Sequence, residues 1–342
     1  MKLLAISDPF IPEQVMRKGL LSLEEQGIEI SVRDWNLPDL ETLQNINLAV
    51  EQKGPEAVPP VLDLFAEAED VEILVVQFFP VPKAVLDRLP KLKLLCVLRG
   101  GLENLDLEAA REKGVTVLNT PGRNSRAVAE YTVGLMLAET RNIARCHEAM
   151  KRDVWLKDFP NSAFIPELHG KTVGFVGLGH IGRLVAHLLQ AFGCEMLVYD
   201  PYLKDAPQGV RSVTLEELMK HSDIVTIHAR LSPETHHLVG EKEIGMMKPN
   251  AVIINTARSG LLDQDALVKA LQEKRITGAA LDVFDREPIP ADDPILQLDN
   301  ITMTPHAAGT TDDAFYGSPV LCAGHITNWL QGKADLLPRV VG

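Results

Sequence analysis

Between Lys171 and Gly182 the chain reads KTVGFVGLGHIG, and few folds accommodate that string. An apolar, β-branched run, Thr172–Val176, leads straight into Gly177-x-Gly179-x-x-Gly182, and a helical pattern follows over Arg183–Phe192. A strand, a glycine turn and a helix in that order form the dinucleotide-binding unit of a Rossmann sheet. Each glycine has its own steric task. Gly177 makes the tight turn, Gly179 lets a pyrophosphate approach the backbone, and Gly182 lets the helix sit close on the strand. The helix N-terminus offers unpaired N–H groups and partial positive charge to the phosphates, with His180 and Ile181 supplying part of the cradle. A second apolar run, Glu195–Tyr199, ends at Asp200, 18 residues beyond Gly182. That is where such a unit places the carboxylate that accepts hydrogen bonds from the adenosine ribose. The same carboxylate repels a ribose 2′-phosphate, and Pro201, Tyr202 and Leu203 bring no arginine to offset it, so NAD is expected over NADP.

The rest of the chain repeats the alternation of short apolar runs with helical patterns, which predicts α/β architecture with parallel sheets. Ahead of the glycine motif, Lys2–Ser7, Val71–Val76, Leu92–Leu98 and Val115–Leu118 read as strands, with a helical pattern over Pro82–Leu89. They form a unit of their own without a glycine-rich phosphate loop. At about 100–200 residues per domain, 342 residues suggest two domains. One helix is expected from about Ser125 to Lys151; it reads either as a packing arm for a second subunit or as a core helix with a solvent-exposed end. Acidic residues outnumber basic ones 47 to 34, giving a formal charge of −13. Such a surface repels phosphate backbones and anionic lipid, which argues against nucleic-acid and membrane partners. No apolar stretch reaches the roughly 18 residues of a membrane span. The start, MKLLAISDPFIPEQ, meets Asp8 too early for a signal peptide. Cys96, Cys146, Cys194 and Cys322 show no CxxC spacing and are expected to be free buried thiols. A cytoplasmic protein follows, with no metal site expected from the scattered histidines.

Ligands of a doubly wound sheet sit beyond the carboxyl ends of its strands. Downstream of the motif, strands are expected at Asp223–His228, Ala251–Asn255, Gly278–Val283 and Ile301–Thr304. Just past their ends stand Arg258, Glu287 and His306. Reduction of a ketone by hydride requires a proton for the developing alkoxide, and His306 is the natural donor. A neighbouring carboxylate stabilises the imidazolium and so raises an imidazole's pKa; Glu287 fits that role. Arg258 fits a two-point contact with a substrate carboxylate, or polarisation of the oxo group.

With these pieces in place, the sequence resembles the D-isomer-specific 2-hydroxyacid dehydrogenases, in the branch like phosphoglycerate dehydrogenase. The resemblance is carried by GLENLDLEAAREKGVTVLNTPGRNSRAVAEYTVGLML, GKTVGFVGLGHIG, HARLSPETHHLVG, MKPNAVIINTARSGLLD, AALDVFDREP and NITMTPHAAG, over about Val71 to Ala323. It implies two doubly wound parallel-sheet domains, a Rossmann NAD domain at 122–307 inserted into a flavodoxin-like substrate domain at 1–121 and 308–342. Hinges fall near Asn119–Arg123 and Ala307–Thr310. The resemblance also implies an arm at about 125–165 that makes a homodimer. It assigns Arg258 as the substrate-orienting arginine, Glu287 as the carboxylate partner and His306 as the acid–base group. Asp282, Thr256 and Ala257 fall at the nicotinamide, and Gly100 and Gly101 offer backbone N–H groups to the substrate carboxylate. The activity implied is NAD-dependent interconversion of a D-2-hydroxy acid and its 2-oxo acid.

Three departures bear on substrate. Gln77-Phe78-Phe79-Pro80-Val81-Pro82 carries no arginine where phosphoglycerate dehydrogenases have one for the distal phosphate, and no regulatory domain is expected beyond Gly342. Both argue against 3-phosphoglycerate, although Arg99 or Arg123 offers a replacement charge. Glu287 separates the chain from the formate dehydrogenase branch, which has Gln there. Phe78 and Phe79 wall the substrate pocket or simply pack on the sheet. Nothing in the sequence explains Arg230, where the family has proline. The alternatives are an NAD(H)-sensing, corepressor-like binding protein and a phosphoglycerate dehydrogenase.

Overall fold

Alternate residues of a strand face opposite sides of its sheet, and in the first strand both sides are apolar. Leu4 and Ile6 join one buried cluster, Leu3 and Ala5 another. Strands buried on both faces belong to parallel sheets covered by helices, and that is the architecture throughout. The computed structural model describes residues 1–333, so the expected 308–342 segment lies outside the described residues from 334 onward. Two compact units emerge, one of Met1–Asn124 with the segment that begins at Thr310, the other of Ser125–Gly309.

The first unit has five parallel strands, β1 (Lys2–Ser7), β2 (Glu29–Asp34), β3 (Ile73–Val76), β4 (Leu94–Val97) and β5 (Thr116–Asn119), in the order β2-β1-β3-β4-β5. This is the flavodoxin-like doubly wound order. Helix Asp312–Leu330 returns to cover one face, burying Phe315, Cys322, Ala323 and Ile326 among Leu3, Ala5, Val75 and Cys96.

The second unit has seven parallel strands, β6 (Thr172–Val176), β7 (Glu195–Tyr199), β8 (Val210–Ser212), β9 (Ile224–Ile227), β10 (Val252–Asn255), β11 (Gly278–Leu281) and β12 (Ile301–Met303). Their order, β12-β11-β10-β9-β6-β7-β8, is a Rossmann sheet with one extra strand, reversing direction at β6. Ser125–Thr140 covers one face, burying Ala129, Val133, Leu135 and Met136 against Val173, Phe175 and Ile254.

The single helix expected from 125 to 151 is instead two helices, Ser125–Thr140 and Ile143–Lys151, broken at Asn142, whose φ is 57°. A buried ion pair accounts for the break. Arg145 Nη2 donates to both carboxylate oxygens of Glu139 at 2.9 and 3.0 Å, while its Nε donates to the Asp299 carbonyl at 2.7 Å. Thr302 Oγ1 donates to Glu139 at 2.7 Å. At about 100° per residue, positions 139 and 145 of one continuous helix would point some 120° apart. The bidentate contact therefore requires the chain to turn between them. Thus the first helix is core, while the second buries none of its residues and exposes Ile143 and Met150. All four thiols are free, but only Cys96 and Cys322 are buried; Cys146 and Cys194 are half-buried.

Candidate active site

The glycine motif sits at the carboxyl end of β6, and its three glycines occupy three different steric situations. Gly177 has φ 89°, and a Cβ there would lie 2.6 Å from the Ala229 nitrogen, so both conformation and space demand glycine. A Cβ on Gly182 would lie 3.0 Å from the Gly177 carbonyl oxygen, which is the close helix–strand approach. At Gly179 a Cβ would meet nothing within 4 Å. The bare backbone there faces space that no protein atom fills, as a pyrophosphate cradle requires. His180 and Ile181 open the helix His180–Gln190, so their N–H groups belong to its unpaired first turn.

Asp200, at the end of β7, is tied to this loop. One carboxylate oxygen accepts from the Leu178 N–H at 2.9 Å and the other from the Tyr202 N–H at 2.9 Å. Each oxygen keeps a lone pair for a ribose hydroxyl. His228, just past β9, backs the Gly177 turn, and burial pushes its imidazole down to about 4, so it is neutral at physiological pH. These groups fit the adenosine and pyrophosphate of NAD.

Beyond β10 the turn is shaped by a residue that the sequence did not single out. Asn255 donates through Nδ2 to the Arg258 carbonyl at 2.9 Å and accepts the Ala257 N–H at 3.0 Å. Thr256 is buried, its hydroxyl 2.8 Å from that of Thr132. Arg258 points outward, with one Nη donating to the Ala257 carbonyl at 2.7 Å. Among the described residues it makes no hydrogen bond or ion pair with Glu287 or His306.

Glu287 and His306, 19 residues apart, meet. His306 Nδ1 lies 2.8 Å from Glu287 Oε2, and Glu287 Oε1 accepts the Phe284 N–H at 2.9 Å. The His306 side chain remains 50% exposed, so its far nitrogen is open to a ligand. Its backbone is left-handed, φ 52°. A non-glycine residue holds such a conformation only where its surroundings fix it, and Asp282 does so. This carboxylate, 1% exposed at the end of β11, accepts from Thr304 Oγ1 at 2.6 Å and from the N–H groups of Ala307 and Ala308 at 2.9 Å each. Asp282 therefore anchors both flanks of the His306 turn, a task the sequence did not reveal. Its pairing with Thr304 depends on β11 and β12 being neighbours.

Gly100 and Gly101 belong to the other unit, just past β4, where the Gly100 carbonyl accepts from Asn119 Nδ2 at 2.7 Å. The two phenylalanines nearby separate: Phe79 is core, packed on Trp35 and Phe65, whereas half-buried Phe78 meets Phe10 and Arg99. Among the described residues no cluster of His, Cys, Asp or Glu is placed to hold a metal ion, and no helix is long and apolar enough to cross a membrane.

Comparison with known proteins points to one family. The family model described as D-isomer specific 2-hydroxyacid dehydrogenase, NAD binding domain, matches residues 133–308. A D-3-phosphoglycerate dehydrogenase of Methanocaldococcus jannaschii is 42% identical over 79% of the chain but only 52% of its own length, so the chain spans about half of that relative. A glyoxylate reductase of Thermofilum pendens is 40% identical over 73% of the chain and 75% of the relative. Among solved structures, an NAD-dependent formate dehydrogenase from Staphylococcus aureus in complex with NAD matches with a TM-score of 0.71 at 28% identity, covering 97% of this chain and 95% of that one.

Proposed function

The chain belongs to the D-isomer specific 2-hydroxyacid dehydrogenases, NAD-dependent oxidoreductases, and we propose that it interconverts a D-2-hydroxy acid and its 2-oxo acid with His306 as the acid–base group. The observation that carries this reading is the contact between His306 Nδ1 and Glu287 at 2.8 Å, on a turn that Asp282 holds rigid. With Nδ1 engaged by a carboxylate, the imidazole is fixed in orientation and Nε2 is the nitrogen left to exchange a proton.

NADH, when bound, would supply a hydride for C2 of the oxo acid. His306 Nε2 gives its proton to the oxygen as the C–O bond becomes an alcohol, and takes it back in the oxidative direction. Arg258 orients the substrate through its carboxylate or polarises the oxo group. Gly100 and Gly101, in the unit assigned here to substrate, would offer N–H groups to a substrate carboxylate. Gly177, Gly179, His180, Ile181 and Gly182 would hold the pyrophosphate and Asp200 the ribose, while Thr256, Ala257 and Asp282 would line the nicotinamide. Of the relatives, the glyoxylate reductase supports a small 2-oxo acid as substrate. The reading includes a cytoplasmic homodimer; exposed Ile143, Met150, Trp155, Phe164 and Ile165 support a subunit contact along the segment after Asn142.

NADH oxidation measured against glyoxylate, hydroxypyruvate, pyruvate, phenylpyruvate and phosphohydroxypyruvate tests the proposal. Turnover with at least one of them is expected. Silence across the set with NADH still bound would favour a dinucleotide-sensing binding protein, and turnover of the phosphorylated acid alone would favour a phosphoglycerate dehydrogenase.

A further inference from the structure

The unit that carries Gly100 and Gly101 also carries a cation that, among the described residues, makes no hydrogen bond through its buried Nη1. Arg123 follows β5 at the carboxyl edge of the sheet, the edge to which Asn119 ties Gly100. Its Nη1 is buried, and among the described residues it has no hydrogen-bond partner. The guanidinium lies over the Phe315 ring, 4.7 Å from its centroid. Phe315 stacks on Phe10 at 4.3 Å, and Phe10 meets Phe78 at 5.9 Å, so three rings form one aromatic wall. Arg99 stands over the Phe78 end of that wall at 5.1 Å.

The two arginines are not equivalent. Arg99 is fully engaged, by Glu51 at 2.6 Å, Asn47 at 2.8 Å and Glu103 at 3.4 Å. Arg123 makes no ion pair within 4.0 Å among the described residues. Asp8, the acid that acts on it, has its carboxylate turned to the N–H groups of Phe10 at 2.9 Å and Ile11 at 3.1 Å. Burial, then the nearby Arg99, lower the Arg123 guanidinium only to about 10, so it is charged at neutral pH. Buried charged N–H groups are as a rule paired. A planar cation on an aromatic face, with a free N–H beside it, is a receptor for an oxyanion.

We propose that Arg123 receives a second anionic group of the substrate, so that the preferred substrates are 2-oxo and 2-hydroxy acids bearing an oxyanion at the far end. This rests on the 2-hydroxy-acid reading above and names the substrate class within it. The oxyanion is a carboxylate or a phosphate, and the experiment separates the two.

NADH-dependent reduction by the full chain is measured with pyruvate and glyoxylate, whose far ends are neutral. The same assay is run with oxaloacetate and 2-oxoglutarate, which end in a carboxylate, and with phosphohydroxypyruvate. The kcat/KM for one acid-ended class is expected to exceed that for pyruvate at least tenfold. Arg123→Met is expected to lower that ratio at least tenfold, chiefly through KM, and Arg123→Lys to restore part of it. Calorimetry on the unmodified protein, comparing 2-oxoglutarate with pyruvate, gives a second readout that needs no variant to fold; tenfold tighter binding of the diacid, or of the phosphorylated acid in the same assay, is expected. Preference for the phosphorylated acid alone identifies the oxyanion as phosphate. Equal treatment of neutral and acid-ended ligands by the unmodified protein, or an equal loss on both in Arg123→Met, overturns the assignment. If no 2-oxo acid is reduced yet an acid-ended ligand binds at Arg123, the anion site stands and the dehydrogenase reading falls.

Discussion

The two units treat their polar groups in opposite ways. In the nucleotide-type unit the carboxylates of Asp200, Asp282 and Glu287 all accept from named donors, and no buried side-chain polar atom lacks a partner among the described residues. In the other unit four such atoms do: Asn104 Oδ1, Asn119 Oδ1, Arg123 Nη1 and His325 Nε2. Two of the four lie at or just after the end of β5, at the carboxyl edge of its sheet. The contrast matches the roles proposed for the two units. A proton-transfer group must be held in place before the reaction begins, because reorganisation during it is costly. A recognition group is left unsatisfied until its ligand arrives.

The largest expected effect breaks the paired side. His306→Ala removes the proposed proton donor from a turn whose anchor, Asp282, is untouched. Turnover is expected to fall by about 10²–10⁴-fold, with NADH affinity, read by fluorescence titration, nearly unchanged. Activity within tenfold of the parent would place proton transfer elsewhere.

Next in size is the ion pair behind the helix break. Arg145→Met strands the Glu139 carboxylate, only 3% exposed, with Thr302 alone for company. Removing one partner of a buried pair costs about 3–5 kcal/mol. Burial already raises the Glu139 carboxyl above its ordinary range, and Arg145 opposes that rise. Without Arg145 the deficit should grow with rising pH as the carboxyl is forced to ionise. Urea unfolding of parent and variant at pH 5 and pH 8 reads both effects; a pH-independent deficit would mean the arginine acts by packing alone.

The unpaired side has its own titration. Burial raises Asp8 from 3.8 to about 6, against the opposing N–H groups of Ile11, Phe10 and Phe78 and the charge of Arg123. An acid that holds its proton more tightly when folded stabilises the fold below its unfolded pKa, and that contribution is lost as pH rises through the folded value. The full loss is about 3 kcal/mol, of which about 2 kcal/mol falls between pH 4 and pH 6. Asp8→Asn does not titrate, so its stability relative to the parent should climb by about 2 kcal/mol between pH 4 and pH 6. A flat difference would show that the carboxyl is better solvated than its burial implies.

Much of this was legible in the sequence, and the misses share a cause. Lys2–Ser7, Thr172–Val176 and Glu195–Tyr199 are strands at the expected residues, because central parallel strands are apolar on both faces. β2 and β8 escaped notice. They are edge strands that expose several of their residues, EISVRD and VRS, so neither shows an apolar run. The helix break was hidden because Glu139 and Arg145 form their pair only through the turn at Asn142. The strand-end rule pointed to Arg258, Glu287 and His306, of which the structure brings Glu287 and His306 together, but not to the hydrogen bonds that hold their turns. Thr304 looks like an ordinary strand-end residue until β12 is known to lie beside β11, and Asn255 like one until its own turn is seen to close on it.

The smallest effect sharpens the contrast, because Asp200 is a paired carboxylate that must also recognise a ligand. It accepts from the Leu178 N–H of the glycine loop, and its charge is proposed to disfavour a 2′-phosphate. The two roles separate by substitution. Asp200→Asn keeps an oxygen for Leu178 and removes the charge; Asp200→Ala removes both. If the charge sets cofactor choice, both variants should narrow the kcat/KM preference for NADH over NADPH by about tenfold, roughly 1.4 kcal/mol. If the loop contact matters as well, only the alanine variant should also lose efficiency with both cofactors. An unchanged NADH to NADPH ratio in the asparagine variant would remove Asp200 from ribose recognition and leave it as a purely structural clamp on the Gly177–Gly179 turn.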